Sequence, residues 1–249
     1  MSKPKPTSNE TPSKAHHVFP APEWTSLSAS LAASLAHEIR NPLLSIKGAA
    51  QLLEQVVEGD DKTLASLIIS EAARIEQLVA TLDPLTPNPA QVSTVMNIHE
   101  VTEYVRTAAR SFAPEITIRT QYDPSLPEVR VVREALVQAL INLVKNAVEA
   151  VAGMPAPSIT LSTRYLVGER MQRTGGKKLP IELSVTDNGA GVAPDVVGRL
   201  FTPFSSTKEN GKGLGLAIVA KIVEEHGGLI AYDAPASGGA RFSIYLPVA

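Results

Sequence analysis

"SLAHEIRNPLLSIKGAAQLLE", residues 34–54, has the pattern of a long amphipathic helix that contains a histidine, His37, and a proline, Pro42. From Trp24 to about Val57 the apolar residues recur every three or four positions, which is one stripe of a helix. The stripe consists of Leu27, Leu31, Leu35, Ile39, Pro42, Ile46, Ala49, Leu53 and Val56. The role of a histidine in such a helix has to be inferred from the other segments of the chain.

A second helix with the same periodicity follows after the break "EGDD" at 58–61, and "DPLTPNP" at 83–89 ends it with three prolines. Its apolar residues are Leu64, Ile68, Ala72, Ile75, Val79 and Leu82. Two such helices joined by a short turn predict an antiparallel hairpin. Because one hairpin leaves its stripe half covered, we expect a homodimer in which two hairpins form a four-helix bundle.

The remaining segments differ in composition. Residues 1–22 are rich in Pro, Ser, Thr and Lys with few core-forming side chains, which predicts a disordered leader. Residues 23–83 hold the hairpin and 84–97 a linker. From 98 to 249 helical and alternating strand patterns are mixed. Helices are predicted at 98–112, 132–152 and 214–226, and strands at 115–123, 158–166, 181–187 and 240–247. The fold class is therefore a helical hairpin followed by an α/β layer domain with one mixed sheet.

Composition excludes several functions. The 23 Lys and Arg residues nearly balance the 25 Asp and Glu residues, so net charge gives no argument for nucleic acid or an acidic membrane surface. Without cysteine the chain has no disulfide, thiolate metal site or thiol nucleophile. No apolar run reaches the roughly 18 residues that span a bilayer, and we expect a cytosolic protein.

Three polar clusters in the second domain lie where strands and helices are predicted to end. In "INLVKNAVEA", 141–150, Asn142 and Asn146 share a helix face, and their amide oxygens suit Mg²⁺. Taken alone, two ordinary surface asparagines are the better interpretation. In "DNGAGV", 187–192, Asp187 follows a strand and can accept a hydrogen bond from the amine of adenine, while Gly189 and Gly191 allow close backbone approach.

The third cluster is "STKENGKGLGLAIVAKIVEEHGG", 205–228, in which Gly211, Gly213 and Gly215 precede a strong helical pattern. The free N–H groups of such a helix N-terminus can bind phosphate, with Lys208 and Lys212 close in sequence. The glycine spacing matches neither the dinucleotide fingerprint nor the P-loop. The three clusters together predict a nucleotide site.

In sequence and order, "NLVKNAVEA", "DNGAGV", "LFTPF" and "GKGLGLAIV" resemble the N, G1, F and G2 boxes of two-component histidine kinases, and "LAHEIRNPL" resembles their H box. The resemblance covers about residues 27–247. "HEIRNPLLSIKGAAQLLE", "YDPSLPE" and "RMQRTGGKKLP" (170–180) are similar to nitrogen-regulation kinases of the NtrB type. Such kinases usually carry an N-terminal PAS sensor domain, for which we expect no counterpart in this chain.

The resemblance implies ATP bound in a Bergerat-type pocket. By motif, Asn142 and Asn146 would hold Mg²⁺ and phosphate, Asp187 would recognise adenine, and Gly189 and Gly191 would shape the pocket. Phe201 and Phe204 would close a lid over 195–212. The other implied ATP-binding residues are Lys208, Gly211, Lys212, Gly213, Leu214, Gly215 and Leu216. Ser205 departs from the family, which often has an aromatic or aliphatic residue there.

The helical period predicts on which side of the helix His37 lies. At 100° per residue the stripe from Leu31 to Ile46 covers about 80°, and His37 lies roughly 200° from its middle, away from the expected core. A zinc site of the His-Glu-x-x-His type is excluded because position 41 is asparagine. An exposed neutral imidazole can act as a nucleophile at cytosolic pH.

The resemblance completes a mechanism. His37 would attack the γ-phosphate of ATP with Glu38 orienting the ring, and the phosphate would pass to a response-regulator aspartate. Asn41 would place a water for phosphatase activity, and exposed Leu44 and Gly48 would contact the regulator. An NtrC-like regulator and a PII-type signal protein are implied partners, with another two-component pathway as the alternative. Two other classes stay open: an ATPase of the same fold, which would need a glutamate where Asn142 stands, and a non-enzymatic scaffold.

Overall fold

The long periodic segment forms two packed helices in a computed structural model of the protein, which describes residues 16–19, 24–80, 92–168, 172–174, 177–203, 205 and 213–249. Helix α1 spans Trp24–Val56 and helix α2 spans Gly59–Ala80. Gly59, with φ of 63°, makes the turn between them short. Asp60 and Asp61 lie in the first turn of α2, where carboxylates interact favourably with the helix dipole.

A narrow seam holds the hairpin together. Lys47 Nζ donates to Glu76 Oε2 at 2.7 Å, and Ser66 Oγ donates to the Glu54 carboxylate. Because the later α1 residue pairs with the earlier α2 residue, the helices are antiparallel, as predicted. Among the hairpin side chains that the structure describes, the buried apolar ones are Leu43, Ala50, Ala65, Ala72 and Val79. Alanine on both helices allows a close approach of their backbones.

The predicted α1 stripe lies beside this seam and is left largely uncovered within one chain, as expected for a hairpin that pairs with a second copy. Ile46 is 50% exposed and Leu53 is 46% exposed, whereas Leu43 and Ala50, which lie off the predicted stripe, are buried. In α2 the stripe is half covered as expected, since Ala72 and Val79 are buried and Leu64, Ile68 and Ile75 are exposed. The reason is that one neighbouring helix covers only a narrow strip of a helix surface, and the sequence pattern does not tell which strip.

The α/β unit is built from Ser93–Leu200 and Ile222–Ala249 together with the first strand, while Phe201–Lys221 group with the helical unit. The domain predicted from the sequence at 98–249 includes residues 201–221. The boundaries differ because compact units are defined by contacts in space, whereas a domain predicted from sequence is one continuous segment. The predicted linker at 84–97 falls largely outside the described residues, and that boundary stays a prediction.

One six-stranded sheet forms the α/β unit. Its strands are β1 His16–Phe19, β3 Thr117–Gln121, β5 Ser158–Tyr165, β8 Ile181–Asp187, β9 Leu229–Asp233 and β10 Arg241–Leu246. They lie in the order β1-β9-β10-β8-β5-β3. The pair β3–β5 is parallel and the other pairs are antiparallel, so the sheet is mixed as predicted. The helices are α3 Ile98–Phe112, α4 Arg133–Ala150, α5 Pro194–Val197 and α6 Gly215–Glu225.

Two small sheets were not predicted. Strands β2 Thr94–Met96 and β4 Val129–Val131 form one, and β6 Gln172–Thr174 and β7 Lys177–Leu179 form the other, within the Gly-rich insertion. Strands of three residues are too short to show the alternation that marks a strand in sequence.

Strand β1 corrects the predicted disordered leader. Residues 16–19 pair antiparallel with β9, with His16 opposite Asp233 and Phe19 opposite Ile230. The other leader residues lie outside the described residues. Composition did not reveal this strand because an open sheet edge binds a short segment through main-chain hydrogen bonds.

Large aliphatic side chains between helices and sheet form the core. Leu140 and Leu143 of α4 and Leu161, Leu183 and Ile244 of the sheet are fully buried. Each contributes about 1.5–3 kcal/mol relative to an exposed position. This packing brings α4 against β8, the two elements that carry the predicted metal and adenine residues. Among the described helices, none combines the length and the hydrophobicity that a membrane span requires.

Candidate functional site

Asp187 ends strand β8 with its side chain buried. Its Oδ1 accepts hydrogen bonds from the N–H groups of Gly189 at 2.9 Å and Ala240 at 3.2 Å. Burial raises the pKa of this carboxyl above its ordinary value, and the two N–H donors offset part of the effect. No other described residue hydrogen-bonds to Oδ2, so that oxygen can accept from a ligand.

Gly189 lies against the last residue of α4. A Cβ on Gly189 would overlap the carbonyl oxygen of Ala150 and lie 2.8 Å from its carbonyl carbon. Only glycine permits this contact, which joins the turn after β8 to the end of α4. Gly191 has φ of 76°, which also favours glycine.

Asn188 and Gly239 also shape this turn, although neither is among the predicted site residues. Asn188 Oδ1 accepts from Ser158 N at 2.9 Å and its Nδ2 donates to Ala156 O at 2.8 Å, which ties the turn to the start of β5. Gly239 has φ of 82°, and a Cβ there would lie 2.7 Å from the carbonyl carbon of Asp187. In the sequence, the Gly238-Gly239 pair before a predicted strand indicates a tight turn at this position.

Asn142 and Asn146 are half-buried on one face of α4. Asn146 lies one turn and Asn142 two turns before Ala150, about 6 and 12 Å along the helix from the residue that contacts Gly189. Neither side-chain amide hydrogen-bonds to another described residue. Two half-buried amides with unused oxygens fit a hard cation that keeps several waters. No cluster of three His, Cys, Asp or Glu residues that could bind a metal occurs among the described residues.

The glycine-rich segment leads into α6, as predicted. Gly213 has φ of 65°, α6 begins at Gly215, and Ile218 N donates to Leu214 O at 2.9 Å. Leu214 is buried and Leu216 is half-buried. Phe201 of the predicted lid is also buried. Phe204, Lys208, Gly211 and Lys212 lie outside the described residues, and their roles stay predictions.

The backbone of His37 lies in α1, and its side chain is outside the described part. Glu38 and Asn41 are exposed on the same helix. Helix α1 continues through Pro42, and Ser45 Oγ donates to the Asn41 carbonyl at 3.3 Å. The catalytic roles of the three residues and the predicted bend at Pro42 stay predictions.

Comparison with known families accounts for both parts of the chain. Residues 28–85 match the His Kinase A (phospho-acceptor) domain, and residues 131–249 match the histidine kinase-, DNA gyrase B- and HSP90-like ATPase family. A phosphoacceptor hairpin followed by this ATPase domain defines the class: the chain belongs to the sensor histidine kinases.

Within that family the chain is NtrB-like. It is 47% identical over 221 residues to the sensory histidine kinase/phosphatase NtrB of Rhizobium leguminosarum bv. phaseoli, covering 87% of this chain and 57% of that protein. It is 46% identical to NtrB of Azospirillum brasilense, covering 82% of this chain and 52% of that protein. The chain thus spans somewhat more than half the length of these relatives.

A solved structure agrees with the fold. The chain resembles full-length ShkA, crystallised in complex with AMPPNP, with a TM-score of 0.59 and 26% identity. The match covers 89% of this chain and 47% of ShkA.

Proposed function

We propose that this chain is the catalytic core of a histidine kinase that uses ATP to phosphorylate His37 and then transfers the phosphoryl group to a response-regulator aspartate. The observation that carries the proposal is the Asp187 turn, where a buried carboxylate with one available oxygen adjoins the end of α4. This site is joined in one chain to a phosphoacceptor domain.

ATP recognition would rest on two sets of residues. Asp187 Oδ2 would accept a hydrogen bond from the exocyclic amine of adenine, in a turn that Gly189 holds against α4. The oxygens of Asn142 and Asn146 would hold Mg²⁺, which when bound neutralises phosphate charge. The glycines from Gly211 to Gly215 would present backbone N–H groups to the phosphates.

The chemical step is an in-line displacement. A ring nitrogen of His37 attacks the γ-phosphorus, the bond to the β–γ bridging oxygen breaks, and ADP leaves as a phosphoramidate forms. Glu38 would accept or orient the proton on the other ring nitrogen. An attacking aspartate oxygen of the regulator would then take the phosphoryl group and release neutral histidine.

The same helix surface would contact the regulator. Asn41 is exposed one turn after His37 and would place a water that hydrolyses the regulator's aspartyl phosphate. Leu44 is 53% exposed, and apart from the neighbouring backbone of α1 itself no described atom lies within 4 Å of a Cβ built on Gly48. These positions leave room for a docked helix of the regulator. The NtrB-like sequence supports nitrogen regulation, an NtrC-like regulator and a PII-type signal protein as the pathway.

The protein would act as a homodimer. Ile39, Ile46 and Leu53 repeat every seven residues on α1 and are 39–50% exposed within one chain. A second hairpin placed on this stripe would bury it as a four-helix bundle does. This exposed stripe is the support for a dimer through α1 and α2.

Incubation with γ-labelled ATP and Mg²⁺ tests the proposal. We expect acid-labile, alkali-stable label on the wild-type chain, none on His37→Gln, and loss of the label on addition of a receiver domain. Release of free phosphate without protein label would instead indicate an ATPase, and absence of nucleotide binding would indicate a scaffold. The preferred regulator among those of the source organism would test the nitrogen pathway.

A further inference from the structure

His226 follows the last residue of α6, in the triplet "HGG" at 226–228. Gly227 N donates to Glu224 O at 2.7 Å and Gly228 N donates to Val223 O at 2.9 Å. With Gly227 at φ of 65°, these two bonds form a Schellman cap, in which His226 is the C-cap residue. The cap fixes the backbone of His226.

The imidazole ring of His226 is held at both nitrogens. Nδ1 lies 2.6 Å from Ile222 O, and Nε2 lies 2.9 Å from Val132 N. A carbonyl oxygen only accepts and an amide N–H only donates, so Nδ1 carries the proton and Nε2 accepts. Both bonds are made together only by the neutral ring in this tautomer.

Val132 is the N-cap residue of α4 and has no side-chain cap hydrogen bond. Strand β4 leads directly into it. His226, which lies 94 positions further along the chain, therefore joins the end of α6 to the strand–helix junction from which α4 begins.

We propose that His226 is a positioning residue that sets the direction of α4 and thereby the place of the metal-binding amides Asn142 and Asn146. The inference rests on the proposed function, since it assumes that these amides bind Mg²⁺ with ATP. It gives His226 a role in nucleotide binding although its ring contacts neither the adenine turn nor the amides in the described structure.

Helix geometry gives the size of the effect. Asn142 and Asn146 lie about 15 and 21 Å along α4 from Val132. A tilt of about 5° at the start of the helix would move them by roughly 1.3 and 1.8 Å. Mg²⁺ requires near-ideal octahedral geometry, so displacements of this size would weaken its binding. Asp187, on strand β8, would be less affected.

The test uses the full chain with three substitutions. His226→Gln places an amide oxygen near the position of Nε2 and can still accept from Val132, whereas His226→Phe keeps a ring and loses both bonds. His99→Phe is the matched control, because His99 is also half-buried and its Nε2 lies 2.9 Å from Thr163 Oγ1. The Kd of ATP is measured by calorimetry with Mg²⁺ and with EDTA, and hydrogen exchange of the Val132 amide is followed without nucleotide.

We expect the factor by which Mg²⁺ strengthens ATP binding to fall about tenfold in His226→Phe, because displacing the two amides by roughly 1–2 Å would disturb the octahedral coordination that Mg²⁺ requires. It should stay near wild type in His226→Gln and His99→Phe. The Val132 amide should exchange faster only in His226→Phe.

Two results would overturn the inference. One is an unchanged Mg²⁺ factor in His226→Phe. The other is an equal loss in His99→Phe, which would mean general destabilisation of the domain. If the wild-type chain itself binds no ATP, the proposed function fails and this inference fails with it.

Discussion

Replacing Gly189 by alanine is the sharpest test of how the adenine turn is built. The new Cβ would overlap the Ala150 carbonyl oxygen and lie 2.8 Å from the carbonyl carbon, against about 3.5–4.0 Å for relaxed carbon contacts. The obstacle is backbone at the end of α4, which cannot rotate away as a side chain would. The turn and the helix must therefore separate by roughly 1 Å, at the usual cost of overpacking, about 1–3 kcal/mol.

Thermal unfolding of Gly189→Ala and the wild type measures this cost. For a domain of this size we expect the Tm to fall by about 2–4 °C per kcal/mol, hence by about 2–12 °C. ATP affinity should also fall, because the displaced turn carries Asp187. Gly198→Ala is the matched control: its φ is −63° and a Cβ there meets nothing within 4 Å. A Tm of Gly189→Ala equal to that of Gly198→Ala would refute the reasoning.

Three further predictions concern the carboxylate, the phosphoacceptor helix and the dimer. Since the pKa of Asp187 is raised in the folded state, its contribution to stability is present at low pH and lost as pH rises through the folded pKa. Asp187→Asn should therefore raise the Tm at pH 7, and this gain in Tm should disappear as the pH falls. The same substitution should weaken ATP binding in calorimetry. A Tm below that of the wild type at pH 7 would contradict the stability prediction. Gly48→Ala should stabilise α1 by about 0.8–1.0 kcal/mol in chemical unfolding, because Ala is the better helix former and the space is open. If phosphotransfer is slower in this variant while autophosphorylation is unchanged, the regulator contacts this position. Unchanged phosphotransfer would argue against such a contact. Ile46→Lys should shift the chain toward monomer in sedimentation, whereas Leu52→Lys, which is 67% exposed and off the stripe, should not; a stable Ile46→Lys dimer would exclude this face as the interface.

Long periodic segments were predictable from the sequence. Helix α3 was predicted at its observed bounds, α4 and α6 within two residues, and strand β8 at Ile181–Asp187. Buried helices and strands of this length carry a period that local sequence displays directly. Strand β1 escaped prediction because it is stabilised by pairing with the distant strand β9. The two small sheets escaped prediction because strands of three residues are too short to show an alternation in sequence.

The residues of the site could also be predicted from the sequence, but the contacts that hold them in place could not. Asp187, Gly189 and the two asparagines were identified by motif, whereas the contact between Gly189 and Ala150 joins positions 39 apart in sequence. Gly239 and His226 act across still longer separations, so no local pattern indicates their partners.

The sequence by itself determined which residues are present for the chemistry: a histidine in an amphipathic helix, a carboxylate after a strand, two amides one turn apart and a glycine-rich helix start. Spacing reveals these features because helix and strand periods are local properties of the backbone. The tertiary structure alone decided which strip of α1 meets α2, and which atoms hold the Asp187 turn and the start of α4. Those outcomes depend on packing and hydrogen bonds between distant segments, where a shift of one position or about 1 Å decides which atoms meet.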